Sequence, residues 1–266
     1  MEKRQIYLEL IGVIRHVLSG EPLPHPLHWD PVIRLATEHR LLGFAYRAAV
    51  GNDEVPADVL EQVESAYFAA VGAQVRRDHY TAELFAALKE REIPYMPVKG
   101  YCLRELYPQR NWRMAQDIDI LVAGEARDAI AEILTPLGFE RCQEDTGDLY
   151  TLDRVEIRIH TEIPSEDVMK ADGETLRDSL VTEDGVLYRF TPAAQYAALL
   201  SRMHRSFGSG EGIGIRSVLD LYMCRAPLSE SELRAVHGFC NTRGILPFAS
   251  ALESLADVWF GDGEST

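Results

Sequence analysis

The chain contains 266 residues, of which 46% are hydrophobic and 26% are charged, a composition typical of globular proteins. Acidic residues outnumber basic residues by 42 to 27, so the net charge is −15, and this charge disfavours non-specific binding to a nucleic-acid backbone. The longest stretch without Asp, Glu, Lys or Arg covers only residues 190–201, whereas a membrane-spanning helix needs about 20 apolar residues. The N-terminus lacks the apolar core of a signal peptide, so we expect a cytoplasmic protein that makes no membrane contact.

The N-terminal region, residues 1–92, is predicted to be helical. Apolar residues recur at helical spacing over residues 6–18, and the proline-rich residues 22–28 end this first helix. A second helix is predicted over residues 30–50, and a long third helix follows Pro56.

The central region, residues 93–190, has short strand patterns. A strand at Tyr95–Val98 precedes a short helix at 101–106, and the alternating residues 117–122 predict another strand. A helix over 125–137, ended by Gly138, is followed by three further strands and a strand candidate at 186–190. The C-terminal region, residues 191–266, returns to helical spacing, with helices predicted over 192–204, 216–225, 229–240 and 245–259. The predicted fold class is α+β, a small mixed sheet flanked by two helical regions.

Two carboxylates lie on one predicted strand of the central region. Asp117 and Asp119 are two residues apart on a strand, so both side chains project from one face. Adjacent ionised carboxylates repel each other, and a divalent cation removes the repulsion. Mg²⁺ binds one or two carboxylates together with phosphate oxygens and water, so this pair indicates a magnesium or manganese site.

A basic segment lies immediately before this pair. Residues 95–116 contain four basic residues and one acid, Glu105, in a chain of net charge −15. Lys99 and Gly100 stand where a strand ends and a helix begins, an arrangement that can bind a phosphate through backbone N–H groups and a charged side chain. The combination of an anion site and an acidic pair suits a nucleoside triphosphate with its metal ion.

A third carboxylate is expected on a later strand. Glu156 lies between Val155 and Ile157 and shares a face with Arg158 and His160. Two carboxylates on one strand and a third on a neighbouring strand can hold two metal ions for phosphoryl transfer. Glu162 is the alternative third carboxylate, and Glu156 is favoured because apolar residues flank it.

These motifs resemble those of the DNA polymerase beta-type nucleotidyltransferase superfamily. The order VKG…DIDI…VEI is similar to that superfamily's loop, its D-x-[DE] motif and its later h-[DE]-h strand. The closer similarity is to a bacterial branch of nucleotidyltransferase family proteins with the pattern LKG…L…Y…R…DiDlLV, where this chain reads PVKGYCLRELYPQRNWRMAQDIDILV. The segments WDPVIRLATEHRLLGFAYRAAV and MHRSFGSGEGIGIRSVLDL resemble the flanking helices of that branch.

The resemblance implies a metal-dependent, cytoplasmic nucleotidyltransferase that uses an NTP such as ATP. It implies that the carboxylates Asp117, Asp119 and Glu156 are catalytic and bind Mg²⁺ or Mn²⁺. Lys99 and Gly100 are expected to bind the triphosphate together with Arg113, which matches an arginine often found just before the acidic pair. The sequence departs from the superfamily in reading Lys-Gly where Gly-Ser or Gly-Gly is usual, and from the relatives' D-l-H-W in its third motif.

Alternative functions remain at this stage. The fold could be kept by a non-catalytic protein that binds a nucleotide or a partner. A glycosyltransferase with an Asp-x-Asp motif would normally begin with a nucleotide-binding α/β region, whereas this N-terminus is predicted to be helical. For the proposed enzyme, a small-molecule or protein acceptor is favoured over long nucleic acid. The glycine-rich residues 208–214 are interpreted as an inter-helix loop, and His204 as structural.

Overall fold

The computed structural model describes residues 3–115, 117–144, 147–162, 180–182 and 184–261. The helices are α1 (Lys3–Ser19), α2 (Trp29–Glu38), α3 (Leu42–Ala49), α4 (Ala57–Glu90), α5 (Gly100–Leu103), α6 (Arg127–Leu134), α7 (Pro192–Gly208), α8 (Ile215–Arg225), α9 (Glu230–Thr242) and α10 (Leu246–Phe260). The strands are β1 (Tyr95–Val98), β2 (Ile118–Val122), β3 (Glu140–Glu144), β4 (Gly147–Leu152), β5 (Val155–His160), β6 (Leu180–Thr182) and β7 (Tyr188–Phe190). The predicted α+β class is confirmed.

The prediction of one continuous helix over residues 30–50 is wrong, because two helices, α2 and α3, cover this range. Arg40 adopts a φ of +58° just beyond the end of α2. The N–H of Leu41 then donates to the carbonyl of Ala36 at 2.7 Å, and the N–H of Arg40 donates to that of Thr37. This is a Schellman arrangement with arginine where glycine is more usual, and it turns the chain into α3.

The main sheet has five strands in the order β1-β2-β5-β4-β3. Strands β2 and β5 run parallel, and the other neighbouring pairs in this sheet are antiparallel. Strand β2 lies between the edge strand β1 and the central strand β5, so Asp119 has residues of both strands beside it. Strands β6 and β7 form a second, two-stranded sheet, which a bridge between Tyr95 and Leu187 links to β1; β6 was not predicted from the sequence.

The buried apolar residues form two cores. One joins α1–α3 to the C-terminal helices α7–α10, so the two ends of the chain pack together. The other lies between the sheet, α6 and the end of α4, where Leu84 and Leu88 are fully buried. Because α4 also contributes residues to the first core, it belongs to both cores. The division of the chain into three regions at residues 92 and 190 stays a prediction.

No helix in the described ranges has both the length and the apolar character that a bilayer crossing requires.

Candidate functional site

Asp119 lies on β2 as predicted, whereas Asp117 is the residue immediately before this strand; both line the same cavity. Asp119 pairs in register with Val98 of β1 and with Arg158 of β5. Ile118 and Ile120 project from the opposite face and are fully buried. This apolar anchoring holds the two carboxylates on the face that points away from the sheet core.

Asp119 is the buried member of the pair, with a relative exposure of 2%. Its Oδ1 accepts a hydrogen bond from Lys99 Nζ at 2.5 Å and lies 2.6 Å from His160 Nε2. Burial alone would raise the pKa of this carboxyl, but the hydrogen bond with His160 and the charge of Lys99 lower the pKa below its usual value. Asp119 is therefore held as a carboxylate.

Lys99 has a strained backbone. Its φ is +55° and its ψ is −131°, a region that L residues other than glycine seldom adopt. Such a conformation costs about 1–3 kcal/mol and it turns the chain from β1 into α5. The turn brings the Lys99 ammonium over the face of β2, where it reaches Asp119.

Arg113 lies behind this turn and is buried. Its guanidinium donates to both carboxylate oxygens of Asp220, at 3.1 and 2.9 Å, and its Nη1 donates to the carbonyl of Gly100 at 3.0 Å. Tyr107 also donates to Asp220, at 2.8 Å. Burial would lower the pKa of Arg113, but Asp220 raises the pKa above its usual value. Arg113 thus supports the Lys99–Gly100 turn from within, and direct phosphate contact by it stays a prediction.

Glu156 lies on β5 and shares the face of Asp117 and Asp119. Its carboxylate is 3.5 Å from the Arg158 guanidinium, which also lies 3.8 Å from Asp117. Glu162, the alternative, is exposed just beyond β5. The role of Glu156 as a third metal ligand stays a prediction.

A smaller cavity of about 270 Å³ opens over the acidic pair. Its walls include Lys99, Gly100, Arg113, Asp117 and Asp119 on the sheet side, and Arg202, Ser206, Gly212, Ile213, Arg216, Ser217 and Asp220 on the side of α7 and α8. The glycine-rich loop between these helices is therefore part of the site wall. Sequence reasoning did not select Arg202 or Arg216, although Arg216 and Asp220 lie in the quoted C-terminal segment.

Arg216 sits in the first turn of α8. Burial and the neighbouring charge of Arg113 lower the pKa of its guanidinium. The charge of Asp220 acts in the opposite direction and partly offsets this lowering of the pKa. An anion in the smaller cavity would relieve this repulsion between the two arginines.

A larger cavity of about 780 Å³ adjoins the smaller one, and both are lined by Lys99, Leu199 and Arg202. Its walls carry apolar side chains, among them Val98, Leu103, Leu121 and Phe190. His160, Glu162, Arg189 and Arg205 add polar groups. The Lys99–Asp119 contact therefore stands at the boundary between a small polar cavity and a large, mostly apolar one.

The other two basic residues of the segment 95–116, Arg104 and Arg110, lie outside the site, as does His204. Arg104 is fully buried and donates to Asp78 of α4 at 2.8 and 3.2 Å. Arg110 forms an ion pair with Glu105 on the surface. His204 is exposed, and its ring packs edge-on against Phe248 at 5.1 Å between centroids, which agrees with its structural interpretation.

Residues 25–261 match the family model described as uncharacterised nucleotidyltransferase. The chain belongs to this family. It is accordingly a transferase of the nucleotidyltransferase type. A sequence search of curated proteins found no match.

Two solved structures of ANT(2″)-Ia are similar to this nucleotidyltransferase. The crystal structure in complex with adenylyl-2″-tobramycin has 16% identity and a TM-score of 0.44, with 62% of this chain and 97% of that chain covered. The solution structure of this antibiotic-resistance factor has 15% identity and a TM-score of 0.46, with 68% and 97% covered. Likenesses at this level say nothing about the substrate of this chain.

The donor set of the site fits one hard cation. Asp117 and Asp119 supply carboxylate oxygens on one face, and the cavity beside them has room for phosphate oxygens, the ligands that Mg²⁺ prefers. Among the described residues, no cluster of three or more His, Cys, Asp or Glu side chains has the geometry to hold a metal ion.

Proposed function

We propose that this nucleotidyltransferase transfers a nucleoside monophosphate from an NTP to a hydroxyl or phosphate of an acceptor, with release of pyrophosphate. The observation that carries the proposal is the meeting of two cavities at Lys99 and Asp119. The smaller, polar cavity binds the triphosphate, and the larger one binds the acceptor.

The charges around the smaller cavity support triphosphate binding. Lys99, Arg202 and Arg216 line it, and a charged hydrogen bond to phosphate contributes about 1.5–3 kcal/mol. The N-terminal turn of α8, with Ser217, faces the same space. Arg113 also lines the smaller cavity, and it fixes the carbonyl of Gly100 and with it the turn that carries Lys99.

A Mg²⁺ or Mn²⁺ ion would be held by Asp117 and Asp119. When bound, it neutralises charge on the phosphate oxygens and on the departing pyrophosphate. Asp119 is suited to this role because its lowered pKa keeps it ionised at neutral pH. His160 orients the same carboxylate through its hydrogen bond.

The transfer step forms a bond between the acceptor oxygen and the α-phosphorus of the NTP. The bond from that phosphorus to the α–β bridging oxygen breaks, and pyrophosphate leaves with the electron pair. The acceptor gives up its proton to a base on the side of the larger cavity, where Glu162 and His160 lie. Lys99, at the boundary of the cavities, is positioned to stabilise charge on the transferred phosphoryl group.

The acceptor is proposed to be a small molecule or a protein side chain. A volume of about 780 Å³ lies within the usual range for small-molecule sites, about 300–1,000 Å³. The net charge of −15 opposes a long nucleic-acid acceptor. The apolar walls favour an acceptor with an apolar body that carries its reactive oxygen towards Lys99.

Two experiments test this proposal. Calorimetric titration with MgATP and the other Mg²⁺–NTPs measures binding. A pyrophosphate-release assay with radiolabelled NTP and fractionated lysate then measures transfer. We expect binding that excess EDTA abolishes. Asp119→Asn and Arg216→Ala should each weaken it at least about tenfold, the equivalent of 1.4 kcal/mol, while Arg154→Ala, an exposed arginine between β4 and β5, should not.

Two results would count against the proposal. Binding of NTP without pyrophosphate release in any fraction would favour the non-catalytic alternative. Full binding and turnover in excess EDTA would show that neither a metal ion nor metal binding by the acidic pair takes part in the mechanism.

A further inference from the structure

Arg158 occupies the position opposite Asp119 on the parallel strand β5. Its guanidinium lies among three carboxylates: Glu156 at 3.5 Å, Asp117 at 3.8 Å and Glu144 at 4.0 Å. These acids come from three different places, namely β5 itself, the residue immediately before β2 and the end of β3. Arg158 is the cation that the fold brings to their centre.

The electrostatic reason for this arrangement is simple. Three carboxylates around one point repel one another, and a cation between them turns repulsion into attraction. The side chain of Arg158 is 35% exposed, so each pair is screened by water and weak individually. Together the three pairs keep the guanidinium between Asp117 and Glu156, the residues that would have to share a second metal ion.

We propose that Arg158 takes the place of a second divalent cation, so that the site works with a single metal ion. The fixed positive charge of the guanidinium neutralises Asp117 and Glu156 without needing a coordination shell. The one metal ion is then the ion that Asp117 and Asp119 share with the triphosphate, and this part of the inference rests on the proposed function.

Counting bound Mn²⁺ by electron paramagnetic resonance tests the proposal. With saturating α,β-methylene-ATP, a non-hydrolysable analogue, we expect one Mn²⁺ per wild-type protein. Arg158→Ala frees three carboxylates and should bind two. Arg158→Lys keeps the charge and should bind one, as should the control Arg154→Ala.

A second titration without nucleotide separates this inference from the proposed function. Arg158→Ala and Arg158→Gln should each gain one Mn²⁺ relative to the wild type, and Arg158→Ala combined with Glu156→Gln should lose that gain. Thermal melting checks that each variant is folded. A wild type that binds two Mn²⁺ with the analogue, or folded Arg158→Ala and Arg158→Gln variants that gain none, would overturn the inference. A wild type that binds no nucleotide would overturn the proposed function alone.

Discussion

Arg113 and Asp220 form a buried, two-pronged ion pair that connects the segment before β2 to helix α8. Their side chains are 6% and 5% exposed. Because Arg113 also holds the carbonyl of Gly100, the position of the C-terminal helices is coupled to the turn that carries Lys99.

Removal of one partner should destabilise the protein strongly. Asp220→Ala leaves a buried guanidinium uncompensated, and we expect the free energy of unfolding to fall by about 3–5 kcal/mol, as measured by urea denaturation. The double variant Arg113→Met with Asp220→Leu should regain much of this stability, since two apolar side chains replace the pair. Its NTP affinity should stay weak, because Gly100 has lost its support. Normal NTP affinity in the double variant would show that the pair serves folding only.

Gly100 leaves no room for a side chain. A Cβ at this position would lie 2.8 Å from Arg113 Nη1 and 3.2 Å from Nη2. Gly100→Ala should therefore push the guanidinium away, and we expect a loss of NTP affinity of about tenfold with a cost of about 1–3 kcal/mol in stability. Gly124→Ala is the matched control, since a Cβ there meets nothing within 4 Å. Equal NTP affinity in both variants, measured by calorimetry, would contradict this account of the turn.

The strain at Lys99 predicts different stabilities for two variants that both lose the ammonium. Lys99→Gly accepts a φ of +55° without penalty, whereas Lys99→Ala keeps the strain. We expect the glycine variant to be more stable by about 1 kcal/mol in denaturant titrations. Both should bind MgATP more weakly than the wild type. An alanine variant as stable as the glycine variant would mean that the backbone relaxes in the absence of the lysine.

The lowered pKa of Asp119 predicts part of the acid sensitivity of the fold. Its pKa is lower in the folded protein than in the unfolded chain, where it is about 3.9, so the unfolded chain binds more protons at acid pH. The contribution of this carboxylate is complete above that value and is lost as pH falls through the lower folded pKa. Without metal or nucleotide, Asp119→Asn should have a shallower fall in Tm between about pH 5 and pH 2. Asp153→Asn, at an exposed turn, should follow the wild type; identical curves for all three proteins would contradict the prediction.

Local sequence patterns were sufficient for most elements and for the centre of the site. The apolar spacing of α1 and α4, and the alternation Asp-Ile-Asp-Ile in β2, reflect burial on one face of a helix or strand. The position of Lys99 and Gly100 between a strand and a helix followed from the same reasoning. The break between α2 and α3 did not, because it depends on the left-handed backbone of Arg40, a residue type that gives no signal for such a turn.

The partners of the site residues were decided by tertiary structure. Asp220 is 107 residues away from Arg113, and His160 is 41 residues away from Asp119, distances over which periodicity carries no information. The packing of α7 and α8 against the sheet face brought Arg202 and Arg216 into the cavity wall.

The sequence by itself therefore determined the α+β plan, the acidic pair on β2 and the basic turn before it, because hydrophobic spacing acts within each element. Only the tertiary structure decided that Arg113 supports the turn from a buried pair and that Arg158 lies among three carboxylates. The physical reason is that the pairing of β2 with β5 and the docking of α8 bring these charged side chains to their partners. Both arrangements depend on long-range packing.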